Sequence, residues 1–170
     1  MSRILVTGNA GSGKSTLARE IAARLDIPCS SLDAVVWQAG WKKTPPEEKS
    51  RRIRELIQPD CWVIDGVSSE VQAAADTVVF LDVERKVSYW RVCNRNWRYL
   101  FRSRPELPAG CPEILIIRTL FKIIWNFPGR IRPRILEQIF YSSQRFFHLK
   151  TKADVEGFLL DLGATQRSAN

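Results

Sequence analysis

A chain of 170 residues is the size of one domain and buries roughly 70% of its extended surface on folding, so it needs neither disulfides nor a metal staple. With 45% hydrophobic and 26% charged residues it is neither disordered nor repetitive. The net charge of +8 is local: between positions 85 and 134 twelve basic residues face two acidic ones, while the rest of the chain nets −2. Such a basic region attracts a polyanion, whether nucleotide phosphates, nucleic acid or an acidic lipid surface. The most apolar stretch, residues 114–127, is interrupted by Arg118 and Lys122, so no membrane span is expected. The four cysteines form no CxxC pair and there is one histidine, which rules out the common zinc spacings. With the N-terminus running straight into a strand, a reduced, cytoplasmic protein is expected.

In chain order, residues 3–7 (RILVT) read as a buried strand, and residues 8–13 as a glycine-rich loop. Residues 14–25 read as a helix with Leu17, Ile21 and Leu25 on one face. A short segment at 29–32 reaches Asp33, and Trp37, Gly40 and Trp41 lie in a surface excursion that ends at Pro45-Pro46. Residues 47–57 form a helix started by proline. Strands follow at 61–64 and 77–81, then a long helix at 84–101. Residues 102–112 hold three prolines and a glycine and read as irregular. Helices are expected at 114–125, broken by Pro128-Gly129, at 134–142 and at 154–162, with a last strand at 145–149. Strands alternating with helices imply an α/β, three-layer domain, a parallel sheet with helices on both faces. The boundaries are one domain over residues 1–163, with a helical, arginine-rich lid inserted at about 95–113, and a polar tail at 164–170.

Residues 8–15, Gly8-Asn9-Ala10-Gly11-Ser12-Gly13-Lys14-Ser15, match G-x-x-x-x-G-K-[ST] between a strand and an amphipathic helix. Glycines let successive backbone N–H groups turn inward toward a phosphate, and the following helix adds its own exposed N–H groups and dipole. Lys14 can reach β- and γ-phosphates and Ser15 can ligate Mg²⁺. The motif implies a nucleoside triphosphate with Mg²⁺ and leaves kinase, ATPase and GTPase open. The chain has no N-K-x-D motif to specify guanine and is short for a motor ATPase, which leaves a compact kinase. Asp65, just beyond the apolar strand, is placed to hold a Mg²⁺-bound water, and Asp33 to orient or deprotonate an acceptor hydroxyl. Asp82 also ends a strand, where a helix cap serves as well as catalysis.

Arg91, Arg95, Arg98 and Arg102 are spaced 4, 3 and 4 and so form one helical stripe, which Arg104 extends. Like charges at that spacing repel until an anion arrives, and arginines closing over a triphosphate also exclude water. Arg130, Arg132 and Arg134 can contribute from a second side; gripping nucleic-acid phosphates is the alternative. Trp37 and Trp41 either stack on a ring-bearing substrate or simply pack. His148, in Phe146-Phe147-His148-Leu149, reads as structural.

Taken together, GNAGSGKST at 8–16, Leu32-Asp33 with Trp37 and Gly40-Trp41, Trp62-Val63-Ile64-Asp65-Gly66, the run from Ala75 to Asp82, Trp90-Arg91 with Arg95, Arg104-Pro105, Gly110-Cys111-Pro112-Glu113 and Trp125-Asn126-Phe127 resemble a known family. It is that of the adenylate-kinase-like P-loop proteins called DNA topology modulation proteins, the FlaR-like kinases. The resemblance spans about residues 3–160. It implies a nucleoside-monophosphate-kinase-like P-loop NTPase fold with five parallel strands and a lid. By position, Gly13, Lys14, Ser15 and Thr16 then bind ATP and Mg²⁺, Asp33 and Asp65 flank the reaction centre, and Arg91, Arg95 and Arg104 fall in the lid. Relatives read DGN where this chain has Asp65-Gly66-Val67, and carry a glycine-bearing lid start where it has Leu100-Phe101-Arg102. The expected activity is γ-phosphoryl transfer from ATP to a small-molecule or nucleotide acceptor, by a monomer or homodimer. The alternatives are an ATP-controlled nucleic-acid-binding protein or an acceptor-independent NTPase.

Overall fold

The computed structural model describes residues 2–99, 111–140 and 142–167, with the backbone alone at 95–99, 113 and 163–167. Seven strands run in chain order: β1 (Arg3–Gly8), β2 (Cys29–Ser31), β3 (Trp37–Gln38), β4 (Lys42–Lys43), β5 (Trp62–Asp65), β6 (Thr77–Leu81) and β7 (Arg145–Leu149). Five of them make one parallel sheet in the order β2-β5-β1-β6-β7, as expected from the alternation of strands and helices. The helices are α1 (Lys14–Leu25), α2 (Leu32–Val36), α3 (Pro46–Ile57), α4 (Ser69–Ala74), α5 (Arg85–Tyr99), α6 (Ile117–Arg130), α7 (Arg132–Phe140) and α8 (Lys152–Arg167).

The central strands β1, β5 and β6 are near-continuous apolar runs because both sheet faces are covered. The two-residue pleat divides them. Ile4, Val6, Val63 and Val79 pack against Leu17 and Ile21 of α1 and Phe158 and Leu162 of α8. Leu5, Ile64 and Val78 face the other way, onto Leu32 and Val35 of α2, Ile53 of α3 and Val71 of α4. Each such buried side chain stabilises the fold by about 1.5–3 kcal/mol. The turns are fixed by local chemistry. Ser68 Oγ accepts from Val71 N at the start of α4, and Thr151 and Asp154 cap α8 reciprocally through Thr151 N to Asp154 Oδ2 (2.9 Å) and Asp154 N to Thr151 Oγ1 (3.1 Å). No helix among the described residues is long and apolar enough to cross a membrane.

Four local differences from the sequence expectation have physical causes. The excursion after Asp33 is built from α2, a 3₁₀ turn at Ala39–Trp41 and the two-residue hairpin β3–β4, pieces too short to leave a periodic signal. The six-residue α4 was hidden for the same reason. The last helix runs on to Arg167, past the expected end at 162 and into the expected polar tail. Pro128 does not break α6, which continues to Arg130. A proline removes the N–H that would pair with the carbonyl four residues back, here Ile124. That carbonyl instead accepts from Asn9 Nδ2 at 3.2 Å, so the helix runs on without an orphaned group.

Candidate active site

The loop between β1 and α1 lies at the carboxyl end of the sheet, where ligands of parallel α/β proteins gather. Its backbone is set by glycine: Gly11 has φ 74°, and a Cβ there would stand 2.6 Å from Ser88 O and 2.7 Å from Val92 Cγ2. The loop thus packs directly on α5. Asn9, 3% exposed, folds its own turn through Oδ1 to Ala10 N (2.8 Å) while its Nδ2 holds α6. Ser12 N donates to Asn9 O (3.2 Å), and Lys14 Nζ lies along the loop with a 2.9 Å bond to the same carbonyl. Of the expected binding residues, Ala10, Gly11, Gly13, Lys14, Ser15 and Thr16 line a cavity of about 570 Å³. Gly8 closes the end of β1, and Asn9 and Ser12 are buried beneath the loop, so these three shape the cradle from behind.

Asp65 ends β5 beside β1, with Val6 opposite it in register. It is 4% exposed and accepts from Ser15 Oγ at 2.7 Å. Burial pushes its pKa up, against the pull of hydrogen bonds from Ser15 and Ser31 and the charge of Lys14, and nearby Asp33 adds to the rise. A buried carboxylate on a serine hydroxyl at the mouth of a phosphate loop is the donor set that fits Mg²⁺. Gly66 follows at φ 143°, with Leu32 Cβ 2.7 Å from where its own Cβ would sit; only glycine lets the β5 end pass this close to α2.

Asp33, in the first turn of α2, lines the same cavity. So do Trp37 and Trp41, which meet edge to face with ring centroids 5.3 Å apart. They are partly buried against Val92, Ile116, Leu120 and Ile124 of the α5–α6 layer, so packing and lining are one role here. Trp41 sits at φ 60°, a conformation that costs a bulky residue about 1–3 kcal/mol, and is held by its Nε1 bond to Pro112 O (2.8 Å). Cys111 Sγ adds a contact to Gln38 O at 3.3 Å. The excursion is thereby fastened to the residues that close the expected lid.

Arg91 also lines the cavity, and its Nη1 donates to Ser12 O at 2.6 Å. The side chains of Arg95 and Arg98 lie outside the described residues, although α5 carries the backbone through both, and Arg102 and Arg104 lie outside altogether. Neither Arg130, Arg132 nor Arg134 lines this cavity. Arg132 instead pairs with Asp82 through Nε and Nη2, both 2.9 Å from Oδ2. Asp82 also takes His148 Nε2 at 2.8 Å, and the His148 ring stacks on Phe80, so His148 has the structural part expected of it, while Asp82 serves as an ion-pair centre in place of the expected helix cap. Sequence reasoning missed Arg19 and the wall of Val36, Ile116, Leu120 and Ile123. It also missed the hold of Asn9 on α6, for which Pro128 inside an otherwise helical run was the available signal.

Solved structures with the same architecture include shikimate kinase from Bacteroides thetaiotaomicron, at 20% identity and TM-score 0.57 over 98% of both chains. Shikimate kinase from Acinetobacter baumannii, solved with shikimate, matches at 17% identity and TM-score 0.54 over 100% of this chain and 95% of that one. Deoxyadenosine kinase from M. mycoides matches at 18% identity and TM-score 0.54 over 98% and 99%. A family model of the viral superfamily 1 RNA helicase core domain matches residues 4–66, the stretch from β1 through the phosphate loop to the end of β5. The chain therefore has the kinase-like P-loop NTPase fold: a five-stranded parallel sheet, helices on both faces, and the phosphate loop at its carboxyl edge.

Proposed function

We propose that the protein is an ATP- and Mg²⁺-dependent kinase that transfers the γ-phosphoryl group to a hydroxyl of a small-molecule or nucleotide acceptor in the cytoplasm. The observation that carries this reading is the Ser15–Asp65 hydrogen bond of 2.7 Å at a cavity that also holds Lys14, Arg91 and Asp33. Backbone N–H groups of Gly11, Gly13, Lys14 and Ser15 and the Lys14 ammonium hold the β- and γ-phosphates. Ser15 and Asp65 are the residues to hold Mg²⁺, which when bound offsets phosphate charge. Asp33, which lines the same cavity, accepts the proton of the acceptor hydroxyl as its oxygen bonds to phosphorus and ADP departs. Arg91, with Arg95 and Arg104 of the lid, offsets the charge of the group in transfer. Trp37 and Trp41 wall the acceptor side with apolar surface, and Val67 stands at the position where relatives in the resembled family carry asparagine. Kinases for shikimate and for deoxyadenosine share this fold, in line with a small hydroxylated acceptor.

A screen of nucleosides, nucleoside monophosphates, sugars and small hydroxy acids for acceptor-dependent ADP release tests the reading. One acceptor class should raise ADP release well above the rate with Mg-ATP alone. Steady ATP hydrolysis indifferent to every acceptor would replace the kinase by an NTPase. Salt-dependent binding of duplex DNA, weakened by substitution of Arg91, would replace it by a DNA-binding, DNA-topology-linked protein.

A further inference from the structure

A second cavity, of about 510 Å³, lies where α3, α4 and α7 meet. It touches the first only through Val67, which lines both. Its apolar floor is made by Ile53 of α3 and Ile135 of α7, 2% and 3% exposed. Gln72, on α4, is 5% exposed, and its Nε2 is buried without an acceptor. The residue is anchored from behind, because its backbone carbonyl takes Gln144 Nε2 at 2.5 Å. A buried N–H left unpaired is a standing cost to the fold that a bound acceptor atom removes.

Two cations face the same space from different helices, Lys49 of α3 and Arg134 of α7. Two of the other three cations of α3 are paired along the helix. Arg51 pairs with Glu55 and Arg52 with Glu48, each four residues away. Four residues beyond Lys49 stands Ile53, so the helix presents Lys49 and an apolar surface together, toward the cavity. Neither Lys49 nor Arg134 forms an ion pair among the described residues, and Glu70 is the one carboxylate lining the cavity. The lining therefore carries net positive charge, an unused buried donor and an apolar floor.

We propose that this cavity is a binding site for a small organic anion, a carboxylate or phosphate ester on a short apolar body. The anionic group lies between Lys49 and Arg134, the apolar part rests on Ile53 and Ile135, and the Gln72 side chain turns its buried Nε2 toward an acceptor atom of the ligand. Because Val67 separates the two cavities, the ligand abuts the wall of the acceptor pocket without entering it. The site stands apart from the kinase reading and survives its failure.

The test is a titration of the isotope-labelled full-length protein with hexanoate and, separately, with phenyl phosphate, following the Gln72 side-chain amide and the Gly11 and Gly13 backbone amides by NMR. The proposal expects the Gln72 amide to shift saturably with at least one probe, and the more effective probe identifies the anion. Arg134→Ala, a change at an exposed position, should weaken that binding about tenfold. The Gly11 and Gly13 amides of that variant should respond to Mg-ATP as in the parent. A Gln72 amide that stays still to the solubility limit of both probes overturns the site. So does an affinity unchanged by Arg134→Ala.

Discussion

The two halves of the large cavity are built on different plans. The phosphate-loop half is one contiguous stretch held by its own hydrogen bonds: Asn9 O accepts from Ser12 N and Lys14 Nζ, Ser12 O accepts from Arg91, and Ser15 Oγ donates to Asp65. The other half, assigned above to the proposed acceptor, draws Asp33, Trp37, Trp41, Val67 and Leu120 from separate segments and encloses them mainly by apolar contact. In the proposed function the first half has one geometry and serves one kind of ligand. A half of the second kind can change its ligand with a few side chains while the fold stays the same.

Substitutions that respect this division should separate the two functions. The largest effect is expected in the loop. Gly11→Val places a side chain against Ser88 O and Val92 at a positive φ, and should cost about 3 kcal/mol of stability, read by urea unfolding. It should abolish nucleotide binding along with it. Trp41→Ala should do the reverse, leaving Mg-ATP affinity unchanged and raising the KM for the acceptor about tenfold. Equal loss of both affinities would show that the halves are not independent.

A smaller effect tests the seam between loop and helices. Asn9→Ala removes the donor that Pro128 made necessary and should destabilise by about 1–2 kcal/mol. Pro128→Ala restores an N–H to Ile124 O and should recover part of that loss, so a double-mutant cycle gives a non-zero coupling. Additive losses would show that Asn9 acts elsewhere.

The smallest effect is remote from both halves. Burial by itself would raise the pKa of Asp76, but hydrogen bonds from Thr77 Oγ1, Arg3 N, Ser2 N and Ser2 Oγ outweigh it and hold the value at about 2. A depressed carboxylate stabilises the fold above its unfolded pKa of about 3.9. That contribution should fade as pH falls from there toward 2, and Asp76→Asn should flatten this part of the stability curve in pH-dependent unfolding. An unchanged slope would contradict the assignment.

The sequence carried most of the scaffold. Buried strands such as Thr77-Val78-Val79-Phe80-Leu81 are apolar on both faces and announce themselves, the contiguous loop motif points to Lys14 and Ser15, and Asp65 and Asp33, read as acids at strand ends, line the same cavity. Arg91 was legible through helical spacing, and its contact with Ser12 O places it at the loop. What stayed hidden depends on contacts between distant segments. Nothing near Trp41 in sequence shows that it binds Pro112 O, 71 residues away, or that Asn9 reaches Ile124 across 115. The pieces around them, α2, α4 and β3–β4, hold two to six residues each, too few to show a period.

The central claim is that Lys14 and the loop amides hold a triphosphate with Mg²⁺. Calorimetric titration of the folded protein with Mg-ATP tests it most directly, beside Lys14→Ala with its folding verified by circular dichroism. Saturable binding to the parent, weakened about 100-fold or more in the variant, is the predicted result. No binding to the parent, or equal binding to both proteins, would contradict it.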